Sequence, residues 1–201
     1  EHPYPAALED TIAAYHWLLE QGYPAEKIVV AGDSAGGGLA LALCLWLKNH
    51  KEPLPSGVIA MSPWTDLTIS GESVETNFEK DPLFGKTRDS MLYNKDYLGD
   101  NDPTNEYISP LFGDYEGFPP LLIQVGSYEM LLSDSTRVAK KAKEAGGKVK
   151  LSIYEGMFHV FQMAMLLMPE SKKAWAEIKR FLHYLDTEEN EMQNISKEEK
   201  A

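Results

Sequence analysis

The stretch Val29-Val30-Ala31-Gly32-Asp33-Ser34-Ala35-Gly36-Gly37-Gly38 decides how the rest of the chain is read. It reads as a buried strand, an abrupt turn and the start of a helix. The apolar residues 28–31 lead into it, and a long apolar run leads out of it. Gly32-Asp33-Ser34-Ala35-Gly36 fits G-x-S-x-G, a strained strand-to-helix turn that presents a serine at the carboxyl end of a central strand. A serine hydroxyl is a poor nucleophile unless it is exposed, oriented and set beside a base. The turn meets the first two needs. Glycine flanks the serine because bulkier neighbours would clash where the backbone reverses. The first amides of the helix then point at the place where negative charge would develop.

Outward from this turn, the patterns alternate between strand and helix. Residues 5–21 carry apolar side chains at helical spacing, and Gly22 ends that run. Residues 27–31 are a short apolar run of strand length. Residues 37–46 are apolar nearly all round, as in a helix buried on several sides. A second apolar strand follows at 57–61. Two buried strands around one helix make a βαβ unit, and so a parallel sheet. A third strand is expected at 121–125. A helix should follow it, from an N-cap at Ser133 to about Ala145. Residues 148–154 alternate, as in a strand near a sheet edge with one face in water. A final helix is expected over 170–185. Between the second and third strands, 67–110 is polar with scattered aromatics. It is read as a helical insertion, with helices near 75–79 and 87–98. Insertions of this length are often lids or binding elements. The expected organisation is therefore one α/β domain over 1–186 and a flexible charged tail over 187–201.

Composition limits the function. With 201 residues the chain can bury one sizeable core. A net charge of −12 argues against nucleic acid or an anionic membrane as the main partner. No apolar run is long enough to span a membrane. Cys44 is the only cysteine, so neither an intrachain disulfide nor a cysteine metal cluster is expected. It is read as core packing, and the simplest setting is a reducing cytoplasm.

A serine nucleophile needs a general base, and the base needs an orienting acid. Where a G-x-S-x-G turn carries the nucleophile, the acid follows in the chain and the histidine comes last. Of the five histidines, His159 alone follows a strand, in a loop at the same sheet edge as Ser34. The acid should sit just beyond the strand 121–125. Glu129 lies in the loop directly after it. Asp134 falls in the first helical turn, where the helix dipole favours a carboxylate in any case. Asp66 follows an earlier strand and fits the order less well. Phe84, Met91 and Tyr97, on the insertion, are candidates to line a substrate pocket.

The chain resembles the hormone-sensitive lipase family of α/β-hydrolase carboxylesterases. The matching stretches are Gly32-Asp33-Ser34-Ala35-Gly36-Gly37, Ser62-Pro63-Trp64-Thr65-Asp66-Leu67, Gly126-Ser127-Tyr128-Glu129-Met130-Leu131-Leu132 and Glu155-Gly156-Met157-Phe158-His159-Val160-Phe161. His2-Pro3-Tyr4-Pro5-Ala6-Ala7-Leu8-Glu9-Asp10 also resembles the helix before the nucleophile strand in that family. The resemblance implies Ser34 as nucleophile, His159 as base and Glu129 as acid, where the family more often has aspartate. It implies hydrolysis of small acyl esters of short to medium chain, with no metal or organic cofactor. It also implies a homodimer through the edge strand 148–154. Members of that family carry a His-Gly-Gly-Gly segment upstream that completes the oxyanion hole. No such segment stands in this chain, which leaves the Ala35 amide as the donor to be expected. On the resemblance, the chain corresponds to the C-terminal portion of an α/β-hydrolase fold. A rival expectation is a catalytically impaired, hydrolase-fold binding protein with an incomplete oxyanion hole. Amide hydrolysis would use the same residues.

Overall fold

Short β-branched and aliphatic runs separated by helical segments build one parallel sheet, in the order β1-β2-β3-β4. Its strands are β1 (Val29–Asp33), β2 (Gly57–Met61), β3 (Leu121–Gly126) and β4 (Val149–Tyr154). The computed structural model describes residues 2–85 and 95–198, with side chains as far as 187. Two compact units emerge: Glu1–Phe161, which contains the sheet, and a second from Gln162 onward, which contains the helix α6 (Pro169–Glu198).

The register explains the core of the first unit. Val58 pairs with Leu121 and Ala60 with Ile123, so these side chains share one sheet face. Leu41 and Leu45 of α2 (Ala35–Asn49) pack on that face, together with Val138 and Ala142 of α5 (Leu132–Glu144). Helices from both crossovers fall on one face because each successive strand is added in the same direction with the same handedness. The helix α1 (Ala6–Glu20) packs on α2, where Tyr15, Leu43 and Leu47 meet Ile28. Cys44 is fully buried in the main cluster, as its apolar setting led one to expect, and burial pushes its thiol pKa up.

The insertion is largely irregular where it is described. Its described residues include α3 (Ser73–Thr76), α4 (Lys95–Leu98) and the 3-10 turn Pro110–Phe112. The helix expected at 75–79 is displaced toward the N-terminus. Of the one expected at 87–98, only Lys95–Leu98 lies within the described residues. Two further expectations need correction. β1 is not buried like β2 and β3: Ala31 and Asp33 are exposed, because β2 is its one hydrogen-bonded neighbour among the described residues. Ser133 does not cap α5. Leu131 occupies the cap, and the Ser133 hydroxyl pairs instead with Ser73 Oγ at 2.6 Å. From 187 the chain continues as helix as far as Glu198. The Glu, Met, Gln and Lys content of this stretch favours a helix even without an apolar stripe.

Candidate active site

Four loops at the carboxyl edge of the sheet build this site, one after each of β1, β2, β3 and β4. Ser34 sits between β1 and α2 with φ 53° and ψ −123°. A non-glycine residue in that region costs on the order of 1–3 kcal/mol, which the surroundings must supply. They do so through the backbone. Ser34 N–H donates to the Met61 carbonyl at 2.9 Å. The Ser34 carbonyl accepts from Trp64 N–H at 2.9 Å and from Gly38 N–H at 3.2 Å. The loop after β2 therefore grips the turn from outside.

Close approach explains one glycine of the pattern and not the other. A Cβ on Gly32 would lie 2.2 Å from the Gly36 carbonyl oxygen, whereas one on Gly36 would meet nothing within 4 Å. Gly38, outside the pattern, is as constrained as Gly32: a Cβ there would lie 2.1 Å from the Trp64 oxygen.

His159 reaches Ser34 from the loop after β4, with Nε2 2.8 Å from Ser34 Oγ. Its Nδ1 lies 3.0 Å from Glu129 Oε2. An ionised carboxylate only accepts, so Nδ1 carries the proton and Nε2 is free to accept from the Ser34 hydroxyl. Glu129 is fully buried and His159 is 6% exposed. The second oxygen of Glu129 accepts from Ser62 Oγ at 2.7 Å and from Gly126 N–H at 2.5 Å. Asn77 Nδ2 donates to the Glu129 carbonyl at 2.8 Å and to the Ser127 carbonyl at 3.0 Å. The loop carrying the acid and the loop carrying the histidine are sewn together. Tyr128 N–H donates to the Met157 carbonyl, and Gly156 N–H donates to Ser127 Oγ.

The other candidate acids lie elsewhere. Asp134 Oδ2 accepts from Thr65 N–H at 2.7 Å, Asp66 N–H at 2.9 Å and Thr65 Oγ1 at 3.3 Å. Burial is the main cause pushing its pKa up to about 7, with the Asp66 charge adding to it against these hydrogen bonds. Asp66 is also buried, which raises its pKa. Donors from Ser70, Thr68 and Arg137 outweigh that and hold the carboxyl below its ordinary value. Arg137 Nη1 lies 2.8 Å from Asp66 Oδ2. The two aspartates clasp the loop after β2 onto α5.

A cavity of about 380 Å³ opens beside the turn. Its wall includes Ala35, Gly36, Leu39, Trp64, Leu67 and Tyr97, and none of its lining side chains is charged. Phe84 lies edge-on to the His159 ring, with centroids 4.6 Å apart. Met91, the third residue expected to line a pocket, lies outside the described residues. Among the described residues no group of three His, Cys, Asp or Glu side chains could hold a metal ion, and no helix is long and apolar enough to cross a membrane.

Sequence reasoning missed Ser62, Asn77 and Asp81. The Asp81 carboxylate accepts from the Leu83 and Phe84 amides and, through its other oxygen, from Met130 N–H at 2.9 Å. It thereby ties the segment bearing Phe84 to the loop bearing Glu129. Only Ser62 had a signal, as a polar residue at the carboxyl end of a buried strand.

The arrangement can activate a hydroxyl and stabilise the imidazolium that results. A profile of the α/β-hydrolase fold family matches residues 1–163. An esterase of Acinetobacter venetianus is 45% identical over 187 residues, covering 92% of this chain and 61% of that protein. An acetyl-hydrolase of Streptomyces hygroscopicus is 42% identical over 174 residues, covering 87% of this chain and 58% of that protein. The solved structure of an esterase from the bacterial hormone-sensitive lipase family superposes with a TM-score of 0.87 at 44% identity. It is matched over 91% of this chain and 61% of its own. The chain spans about three-fifths of the length of these relatives.

Proposed function

The chain belongs to the hormone-sensitive lipase family of α/β-hydrolases, and from that premise we propose that it carries the catalytic triad of a serine carboxylesterase. The observation that carries this reading is the unbroken line Ser34–His159–Glu129, with contacts of 2.8 and 3.0 Å. Ser34 Oγ attacks the ester carbonyl carbon while His159 Nε2 takes its proton. Glu129 stabilises the imidazolium and holds the tautomer. His159 then protonates the departing alcohol, leaving Ser34 acylated. Water, deprotonated by the same nitrogen, releases the acid and restores the serine. The Ala35 N–H supplies one oxyanion donor: as the first amide of α2 it has no partner within the helix. One such donor is worth roughly 10²–10³ in kcat.

The uncharged cavity beside Ala35 and Gly36 favours small uncharged esters of short to medium acyl chain, with Tyr97 in its wall and Phe84 over His159. Leu67, Tyr97, Tyr107 and Ile108 are thus the insertion's contribution to the substrate-facing wall. β4 is an edge strand among the described residues and has Ile153 48% exposed, which supports a homodimer formed through that edge.

The test is the initial rate of p-nitrophenyl butyrate hydrolysis by the protein. Ser34→Ala should lower kcat on the order of 10⁶-fold. An unchanged rate would refute the proposal.

A further inference from the structure

We propose that Ser62 is a positioning residue that aims the acid and the base at one another through a single hydroxyl. The inference rests on the triad reading above and adds a fourth side chain to it. Ser62 follows the last residue of β2 and is fully buried. Its own N–H donates to the Gln124 carbonyl at 2.6 Å, so it is anchored to β3. Its hydroxyl has two partners. It donates to Glu129 Oε1 at 2.7 Å and accepts from Val160 N–H at 3.1 Å.

The direction of these bonds is fixed. An amide N–H can only donate, and an ionised carboxylate can only accept. The hydroxyl proton is therefore committed to Glu129, and the oxygen to Val160. Donation by the amide polarises the hydroxyl and strengthens the bond it gives. Oε1 is thus filled by Ser62 and Gly126, which leaves Oε2 for His159.

The Val160 end matters as much. Val160 immediately follows His159 and has φ 53°. A β-branched residue in the left-handed region is a backbone outlier that must be held in place. Ser62 itself has φ 48°. Two strained residues thus face each other across one hydrogen bond, at the point where the histidine leaves its loop. A serine that only filled space would need neither the strain nor the paired donor and acceptor.

The test is a double-mutant cycle on p-nitrophenyl butyrate: wild type, Ser62→Gly, Glu129→Gln and the pair. Glycine removes the hydroxyl and tolerates φ 48°, so the backbone at this position is not further strained. Ser62→Gly should lower kcat roughly ten- to a hundredfold with KM within about twofold. In the Glu129→Gln background the same change should cost less than about threefold, because glutamine no longer offers His159 the carboxylate that Ser62 aims. Native kcat in a folded Ser62→Gly variant would overturn the role of Ser62, as would the same fold-loss in both backgrounds. If the glycine variant does not fold, Ser62→Ala is read by the same cycle. Wild-type turnover in a parallel Ser34→Ala sample would instead overturn the triad reading, and the positioning role with it.

Discussion

Glu129 and Asp134 are both buried carboxylates beyond the same strand, and their partners separate their roles. Glu129 faces an imidazole and two donors; Asp134 faces only the amides and hydroxyl of Thr65 and Asp66. Glu129→Gln should lower kcat roughly 10⁴-fold, as loss of a triad acid does. Asp134→Asn should leave kcat near wild type, since an amide oxygen can still accept from both backbone donors. The aspartate should reveal itself in stability instead. Its pKa in the folded state, about 7, is above its ordinary value of 3.8. The folded protein therefore binds a proton that the unfolded chain has lost, and stability falls as pH rises through that window. Thermal midpoints at about pH 5 and pH 8 should drop further for wild type than for Asp134→Asn, and parallel drops would contradict this assignment. The order of residues along the chain favoured Glu129 but could not exclude Asp134. Only the clasp between the loop after β2 and α5 shows what Asp134 holds.

The turn at Ser34 was legible because its element-level context is unambiguous: an apolar strand enters and an apolar helix leaves. β2 and β3 were legible for the same reason, since their runs of Val, Ile and Leu have one buried solution, and β4 was legible from its alternation; the structure places all three within a residue or so of expectation. The insertion was not legible. Its order near the site comes from single polar anchors, Asn77 and Asp81, which bond to the backbone of a distant loop. Such anchors leave no periodic trace. The glycines show the same limit. The pattern G-x-S-x-G assigns equal weight to Gly32 and Gly36, yet the tight contacts are at Gly32 and Gly38. Gly38→Ala drives a methyl into the Trp64 carbonyl and should destabilise the fold by about 1–3 kcal/mol. Gly36→Ala meets nothing within 4 Å and gains helix propensity, so it should be neutral or stabilising. Urea midpoints of the two variants check this, and equal losses would contradict the packing account.

On the scale of the molecule, the first unit gathers three side chains from loops far apart in sequence onto one edge of a parallel sheet. This is where such sheets place their ligands. At the centre the buried Glu129 is paired with His159. β1, which delivers Ser34, has one hydrogen-bonded neighbour among the described residues, and the chain spans about three-fifths of its relatives. The triad reading is best tested by a reagent that reports the nucleophile and its base together. A fluorophosphonate is attacked only by an activated serine and leaves a stable adduct whose position peptide mass spectrometry can read. The account predicts one adduct, on the peptide containing Ser34, and none when His159 is replaced by alanine. An adduct on another serine, or equal labelling of Ser34 without His159, would contradict it.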